Sequence, residues 1–371
     1  KMKRKLQFLF ISISCLFLLT GCWDQRLLKE TRFILAIGID KAKDGKVKGT
    51  YEVENAQVYP QSAIITEVEG INGRDTTLAV NNKVSEKLDV SKLKVFFIGE
   101  KLAKEEGIYP YLDILLREPN NPINTFLIIN KGETSSYLTN PIPDEAIPSD
   151  YYQKLIQKEV DSGILTNMNV LKSSKLYAAT HHDILLPYMK QSPDQTPVVD
   201  GLAMFNGDKF TGQTLSPRES VIFNLLDNKK SEQQPSLIIK IRDHEHPNIK
   251  NYISLSVLNS KRKIKVNSQN EHVTGKFSLD LDISIIESPK YNAQKYDEFL
   301  TKAIEKELTK RTNKVIQKLQ KANSDGLGIG QQLHSFHYKE FQKLDWKGEA
   351  YKNADIKATV KVTIKEHGLI N

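Results

Sequence analysis

Residues 33–40 read Phe-Ile-Leu-Ala-Ile-Gly-Ile-Asp, an apolar run that ends at an acidic residue. An uninterrupted run of this length, rich in isoleucine, predicts a strand that is buried on both faces. Lys-Ala-Lys-Asp-Gly follows at residues 41–45, and Asp-Gly is a strong hairpin signal because glycine accepts a positive φ. A second strand, at about residues 47–58, is therefore expected to pair back onto the first and to begin a sheet.

Helices and strands are predicted to alternate after this hairpin. Residues 78–90 carry apolar side chains at helical spacing, and residues 102–117 predict a second helix that is interrupted near Gly107. Buried strands are predicted at residues 93–99 and 123–130. The order β-β-α-β-α-β favours a mixed sheet with helices on one side.

The second half contains the clearest single element, a helix predicted at residues 291–322. Its apolar side chains keep a spacing of three and four residues, whereas lysine and glutamate fill the opposite face. The apolar stripe consists of Tyr296, Phe299, Ala303, Ile304, Leu308, Val315 and Leu319. Strands are predicted at 198–205, 209–212, 237–241, 252–258, 263–266 and 276–286, and a short helix at 219–226. Residues 356–364 alternate apolar and polar side chains, which predicts a half-buried edge strand.

These elements predict an α+β fold of several domains, with mixed and antiparallel sheets, packed helices and one long amphipathic helix near the C-terminus. A chain of 371 residues is too long for one average domain. The polar, proline-containing segment at residues 191–197 is the best candidate boundary. It separates an N-terminal α+β domain, residues 22–195, from a C-terminal α+β domain, residues 198–371. The C-terminal domain is either one unit or two subdomains that divide near residues 260–275.

Residues 1–21 have the three parts of a secretory signal peptide. Four of the first five residues are cationic, residues 6–19 form an apolar run, and Leu-Thr-Gly precedes Cys22. This ending resembles a bacterial lipobox, in which a peptidase cuts between Gly21 and Cys22 and the cysteine sulfur carries a diacylglycerol thioether. The alternative is an ordinary membrane anchor with a chance cysteine, but the apolar run is shorter than the roughly 20 residues that span a bilayer.

Removal of the signal peptide changes the charge of the chain. It takes away four cations and no acidic residue, which lowers the net charge from +8 to +4. A modest positive charge suits a protein that lies beside an anionic membrane surface. The composition, 39% hydrophobic and 26% charged, is typical of a globular protein, and no later segment is apolar enough to span a membrane. We therefore expect a chain that is exported and tethered, and that does not bind nucleic acid.

The two cysteines are both accounted for by this interpretation. Cys15 lies inside the signal peptide, and Cys22 would carry lipid. The sequence then leaves no thiol for a disulfide, a metal site or a catalytic nucleophile.

Two other patterns were candidates for chemistry. Three close histidine groups have spacings that metal sites use, but they lack a converging cysteine or carboxylate pattern, so we expect solvated or interface histidines and no metal. The groups are His181-His182, His244-x-His246 and His334-x-x-His337. Residues 325–330, Asp-Gly-Leu-Gly-Ile-Gly, follow the long helix, whereas a phosphate loop runs from a strand into a helix. We interpret these glycines as a helix stop, in which a left-handed residue satisfies the last carbonyls.

Motifs of known enzyme classes are absent from the sequence. It has no Gly-x-Ser-x-Gly elbow, no His-Glu-x-x-His pair and no Gly-x-x-x-x-Gly-Lys-Ser/Thr loop. We therefore predict no catalytic residues, no metal ligands and no cofactor-binding residues, so that the chain is not an enzyme.

An ordered set of short motifs covers the expected mature chain. They are Gly-Cys-Trp-Asp at 21–24, Gly-Ile-Asp-Lys at 38–41, Asp-Gly-Lys at 44–46, Leu-Lys-Val-Phe-Phe-Ile-Gly-Glu at 93–100, Leu-Asp-Ile-Leu-Leu-Arg-Glu-Pro at 112–119, Gly-Leu-Ala-Met-Phe at 201–205, Asp-Lys at 208–209, the glycine loop at 325–330 and Gly-Leu-Ile at 368–370. Together they resemble the Ger(x)C family of spore germination lipoproteins, the C subunits of nutrient germinant receptors.

The resemblance implies a non-enzymatic subunit that is required for nutrient-triggered germination. It would be held on the outer face of the inner spore membrane by diacylglycerol and palmitate on Cys22, with no other cofactor. Its partners would be a membrane-embedded A subunit and a permease-like B subunit, which is credited with germinant recognition in this family. The alternative is the solute-binding lipoprotein of a membrane transporter, which would need two βαβ lobes around a ligand cleft.

Overall fold

The computed structural model describes residues 2–5, 7, 31–55, 62–117, 122–140, 142, 145–179, 181–241, 252–288 and 297–367. It has an α+β fold with mixed sheets and packed helices, which confirms the predicted fold class. The strands are β1 (Thr31–Lys41), β2 (Val47–Asn55), β3 (Ser62–Gly70), β4 (Lys87–Asp89), β5 (Val95–Gly99), β6 (Phe126–Asn130), β7 (Leu185–Gln191), β8 (Pro197–Asn206), β9 (Lys209–Leu215), β10 (Ser236–Lys240), β11 (Tyr252–Gln269), β12 (His272–Glu287) and β13 (Asp355–Glu366).

Helices connect or cover these strands. Numbered from residue 31 onwards, they are α1 (Gly73–Asn81), α2 (Glu100–Glu105), α3 (Tyr109–Arg117), α4 (Thr134–Thr139), α5 (Pro148–Asp161), α6 (Val170–Ala178), α7 (Pro217–Leu226), α8 (Asp297–Lys321), α9 (Ile329–Phe336), α10 (Tyr338–Phe341) and α11 (Tyr351–Asn353). A single π-helical turn, Trp346–Ala350, precedes α11.

Nine of the strands in the described part of the chain form one large sheet, in the order β3-β2-β1-β5-β6-β7-β8-β9, with β4 also paired to β1. The central strands β1, β5, β6 and β7 are parallel to one another. Antiparallel pairs flank them, β1-β2-β3 on one side and β7-β8-β9 on the other. The sheet therefore has a parallel centre and antiparallel edges, as the mixed-sheet prediction requires.

The strand predicted at residues 33–40 forms, and it pairs with the second strand as expected. β1 is buried from Ile34 to Asp40 and pairs with β2 through the predicted turn, in which Asp44 and Gly45 both have positive φ. Both faces of β1 are covered, because Ala36 packs in one hydrophobic cluster while Ile37 packs in the other. A strand that is buried on both faces reads as a continuous apolar run, which is why this stretch was recognisable.

Helices cover both faces of the large sheet, so the prediction of helices on one side is wrong. Tyr137 of α4 and Tyr152 of α5 share a cluster with Phe97. Leu102 of α2 and Leu112 of α3 lie in the second cluster, on the opposite face. Parallel strands need crossover connections, and the crossovers of a parallel sheet place helices on both faces.

The predicted helix at residues 78–90 is also wrong in its extent. The helix α1 covers residues 73–81 instead, where the Asn72 side chain accepts a hydrogen bond from the Asp75 N–H and caps its start. The chain then continues into the short strand β4. The strand β3 was not predicted, because it lies at the sheet edge and most of its side chains are at least partly exposed.

A second sheet has the strand order β10-β11-β12-β13 and is covered by the long helix α8. The strand β13 lies at its edge, parallel to β12, and its buried and exposed residues alternate, which confirms the predicted edge strand. Two strands predicted at 252–258 and 263–266 are one strand, β11, since polar residues interrupt the apolar pattern but not the pairing. On α8, Ile304 and Leu308 are buried as predicted, whereas Phe299 is 47% exposed and Leu300 takes its place.

The helix α7 connects the two sheets. Its residues from Ser220 to Leu226 are all buried, and it packs against α8 and β8. Since seven consecutive residues point to every side of a helix, α7 is surrounded by protein over this length. The large sheet also continues through β8 and β9, beyond the predicted boundary near residue 195. The predicted domain division, including the alternative break near 260–275, stays a prediction; the β11–β12 hairpin turns within that break.

Candidate functional site

The residues with the clearest predicted chemistry are Gly21 and Cys22. Both lie outside the described residues, as do His244 and His246 and the terminal motif at 368–370. Lipid attachment and signal cleavage at Cys22 therefore stay predictions. Among the residues that the structure describes, no helix is both long enough and apolar enough to cross a membrane.

The glycine loop at residues 325–330 does not end the helix α8 as predicted. Asn323 supplies the left-handed residue, with φ of 51°, and the Ser324 N–H donates to the Leu319 carbonyl at 2.9 Å. Asparagine tolerates this conformation better than most residues, so it can replace glycine at a helix end. The glycines follow this helix end and lie at the start of the next helix, α9.

Asp325 is the centre of the loop. Its buried carboxylate accepts hydrogen bonds from the N–H groups of Ile329 at 2.9 Å and Gly330 at 2.6 Å, and from the Trp346 indole nitrogen at 3.0 Å. The first two donors belong to the first turn of α9, where free N–H groups attract an anion. Asp325 thus occupies the position that a bound phosphate would take, and the loop is an internal cap.

Two of the glycines are required by this arrangement. Gly328 precedes α9 with φ of 67°, a left-handed conformation that glycine adopts without strain. Gly330 lies under the Trp346 ring, and a Cβ atom there would lie 2.2 Å from the indole nitrogen. The glycine pattern is therefore explained by packing around Asp325.

Asp183 is a second buried carboxylate that contacts this loop. It accepts hydrogen bonds from the backbone N–H groups of Gly207 and Asp325, both at 2.7 Å, and from the Lys347 ammonium group. The Asp183 N–H in turn donates to the Asp325 carbonyl at 3.0 Å. We call Asp183, Asp325, Trp346 and Lys347 the acidic junction, because they join the large sheet to the chain beyond α8.

The electrostatics of the acidic junction suit a structural role. Burial raises the pKa of Asp325, and the nearby charge of Asp183 acts in the same direction, while the N–H donors of Gly330 and Ile329 oppose the shift. Lys347 offsets part of the negative charge. Since three donors already surround each carboxylate, both are committed to holding the chain together.

Two histidine groups that are far apart in the sequence meet beside this junction. The rings of His181 and His334 lie 4.6 Å apart, and the His181 ring also contacts Phe341 at 4.7 Å. Burial lowers the pKa of His181, and the nearby His334 and Lys347 charges lower it further. No group of three or more metal-ligating side chains occurs in the described ranges, and the two rings are packed against aromatic neighbours.

Two further buried carboxylates were not identified from the sequence. Asp40, at the end of β1, accepts hydrogen bonds from the Thr134 N–H at 2.9 Å and hydroxyl at 3.1 Å. Glu52 in β2 accepts the corresponding bonds from Ser149, also at 2.9 and 3.1 Å. Thr134 and Ser149 lie in the first turns of α4 and α5, so each carboxylate fixes a helix N-terminus onto the sheet.

Burial dominates the titration of both carboxylates. It raises the pKa of Asp40 to about 6 and that of Glu52 to about 7, although the hydrogen bonds from Thr134 and Ser149 act in the opposite direction. The sequence signal for Glu52 was its position between Tyr51 and Val53, inside a strand whose neighbouring residues are buried.

The raised pKa of Glu52 predicts a pH dependence of stability. The unfolded chain loses this proton near pH 4.5 and the folded chain near pH 7, so the folded state binds more protons in between and the free energy of unfolding falls as the pH rises through that window. Between these two pH values the wild type should lose up to about 3 kcal/mol of its free energy of unfolding, and we expect this loss to be absent in Glu52→Gln. Urea unfolding at several pH values measures this difference.

Glu69 provides the matched control for this prediction, because it is exposed on the neighbouring strand β3. Glu69→Gln should follow the wild-type pH profile. An identical slope for Glu52→Gln and the wild type would contradict the assignment.

Comparisons with known proteins cover almost the whole chain. Residues 24–191 match the family described as the spore germination protein N-terminal domain, and residues 200–368 match the spore germination B3/GerAC-like C-terminal family. Spore germination protein KC of Bacillus subtilis (strain 168) is 26% identical over 408 residues, which cover 100% of this chain and 98% of the relative. Spore germination protein GerQC of Bacillus cereus is 22% identical and covers 99% of each chain.

A solved structure has the same fold. The crystal structure of the GerBC protein superposes with a TM-score of 0.57 at 18% identity, and the match covers 92% of this chain and 99% of that one. The ordered motifs, the two matched families and this common fold agree with one another. The chain belongs to the Ger(x)C family of spore germination proteins.

Proposed function

We propose that the chain is the lipid-anchored, non-enzymatic C subunit of a nutrient germinant receptor and is required for nutrient-triggered spore germination. The observation that carries this proposal is the match of both halves, residues 24–191 and 200–368, to spore germination families. The curated relatives align over nearly their full length and are themselves named as spore germination proteins.

The proposed anchor is a diacylglycerol thioether on Cys22, with palmitate among its acyl chains. Each buried CH₂ group contributes about 0.8 kcal/mol, so that several acyl chains together hold a protein stably on a bilayer. The strand β1 begins at Thr31, nine residues after Cys22. An extended chain spans at most about 3.6 Å per residue, which places the start of the large sheet within about 32 Å of the anchor. The protein would lie on the outer face of the inner spore membrane.

The proposed partners are the membrane-embedded A and B subunits of the same receptor. The described residues support a scaffold role, since the buried carboxylates Asp40, Glu52, Asp183 and Asp325 all have donors from their own chain. No cofactor other than the covalent lipid is proposed.

Deletion of the gene tests the proposed function. Spores that lack the protein should lose the fall in optical density that follows addition of the receptor's nutrient, while spores of the parent strain keep it. A plasmid copy of the wild-type gene should restore the nutrient response. Normal germination of the deletion spores in every nutrient tested would contradict the proposal.

A further inference from the structure

A cleft of about 540 Å³ opens where α5 and α6 from the first half of the chain face α7 from the second half. The loop at residues 229–235 closes the remaining side. This volume lies within the roughly 300–1,000 Å³ that small-molecule sites usually occupy. None of the four residues of the acidic junction lines this cleft.

The bottom of the cleft is apolar. Leu165 and Met168 from the α5–α6 connection and Leu225 of α7 line it, and each of these side chains is at most 5% exposed. The polar side chain of Asn224 is also in the lining, but it is already hydrogen-bonded to Thr166 at 2.8 Å and to the Gly163 carbonyl at 2.9 Å. The floor can therefore contact an apolar group of a ligand, and the hydrogen bonds of Asn224 hold the residues of the floor in place.

The rim of the cleft is cationic. Four lysines line it, and the acidic residues in the lining are Asp161 and Glu232. The lysines are Lys172, Lys175, Lys229 and Lys230. Lys229 forms an ion pair with Asp227 at 3.3 Å, whereas the other three lysines make no ion pair within the part of the chain that the structure describes. The lining thus carries four cationic and two acidic side chains, an excess of positive charge.

Two of these lysines repel each other. Partial burial lowers the pKa of Lys172, and the positive charge of Lys229 lowers it further. An anion placed between the two ammonium groups would remove this repulsion and would accept charge-assisted hydrogen bonds.

We propose that the cleft binds a small amphiphilic anion, with its negatively charged group between Lys172 and Lys229 and its apolar part on Leu165, Met168 and Leu225. The charge of the rim and the apolar floor select for this combination, since a neutral apolar molecule leaves the lysines uncompensated and a bare anion leaves the floor unfilled. The inference is independent of the receptor assignment. A free organic phosphate and the headgroup region of an anionic lipid share the required chemistry.

Phenyl phosphate is the probe for this site, because it combines a phosphate with one aromatic ring. The full-length chain is held in nanodiscs of phosphatidylcholine, and binding is measured by isothermal titration calorimetry against empty nanodiscs. We expect saturable binding of phenyl phosphate, with weaker binding of inorganic phosphate and of phenyl glucoside. The double variant Lys172→Gln/Lys229→Gln should bind phenyl phosphate at least about tenfold more weakly, since charged hydrogen bonds contribute about 1.5–3 kcal/mol.

Two further variants make the test decisive. Lys43→Gln/Lys343→Gln removes the same charge from exposed positions outside the cleft lining and should bind like the wild type. Lys172→Arg/Lys229→Arg keeps the charge and should retain binding, which shows whether the positive charge at these positions is what binds the anion; circular dichroism of the glutamine variant checks its folding. No saturable binding to the wild type, or equal affinities for the two glutamine variants, would overturn the proposal.

The source of the anion is distinguished by a second titration. Phosphatidylglycerol is added to the nanodiscs before phenyl phosphate. If the wild type binds phenyl phosphate more weakly in nanodiscs with phosphatidylglycerol than in nanodiscs of phosphatidylcholine alone, the lipid headgroup competes for the cleft and is its ligand. An unchanged affinity assigns it to a free anion.

Discussion

Asp325→Ala is expected to destabilise the protein by about 3 kcal/mol or more. The substitution leaves three buried donors, the N–H groups of Ile329 and Gly330 and the Trp346 indole N–H, without their acceptor. Each buried donor that loses its partner costs about 1–3 kcal/mol. The substitution also removes a buried negative charge next to Asp183, which offsets part of this loss. The expected value therefore lies at the lower end of the total for three donors. Urea unfolding of the full chain, followed by circular dichroism, measures the change.

Two other substitutions calibrate this result. Asp325→Asn keeps one acceptor oxygen and nearly the same shape, so it should lose less stability than the alanine variant. Asp345→Ala removes an exposed carboxylate that accepts one hydrogen bond, from Gly348 at 3.2 Å, and should change stability by about 1 kcal/mol or less. If Asp325→Ala were as stable as Asp345→Ala, the acidic junction would not hold the chain together.

Cys22→Ala is expected to move the protein from the membrane fraction to the soluble fraction. Without the thiol no thioether can form, so the variant lacks the acyl chains that are proposed to hold the protein on the bilayer. Two acyl chains on one residue hold a protein far more tightly than the electrostatic attraction of a surface with net charge of about +4. Fractionation of spore lysates, with detection of the protein by antibody, measures the shift.

A variant with a different anchor separates attachment from lipid chemistry. Replacement of residues 1–22 by a single transmembrane helix should restore both membrane retention and the nutrient response that Cys22→Ala loses. Retention of Cys22→Ala in the membrane fraction together with normal germination would contradict the proposed lipid anchor on Cys22.

Patterns within one element could be predicted from the sequence. The apolar run at residues 33–40 and the alternation at 356–364 correspond to β1 and β13. A strand that is buried on both faces is apolar throughout, whereas a strand that is buried on one face alternates apolar and polar residues. The long helix was predicted for the same reason. Of its predicted apolar stripe, Tyr296 lies outside the described residues, and Phe299 is exposed while Leu300 is buried in its place. The edge strand β3 lacks such a period and was missed.

Contacts between distant residues could not be predicted in this way. Asp183 and Asp325 are 142 residues apart, and nothing in the residues around Asp183 indicates that it contacts the glycine loop. One local signal was available, since Asp325 precedes α9 by four residues, a position from which a carboxylate can cap a helix. The ring contact of His181 with His334, and the placement of Lys172 and Lys229 in one cleft, depend on how the two halves pack and have no signature in either segment.

The mass of the amino-terminal peptide of the membrane-bound protein tests the central claim most directly. The account predicts a chain that begins at Cys22 and carries a diacylglycerol thioether on the cysteine sulfur, with residues 1–21 absent. Mass spectrometry of the peptide released from purified spore membranes reads both features at once. A membrane-bound chain that retains residues 1–21, or that has an unmodified thiol at Cys22, would contradict the account.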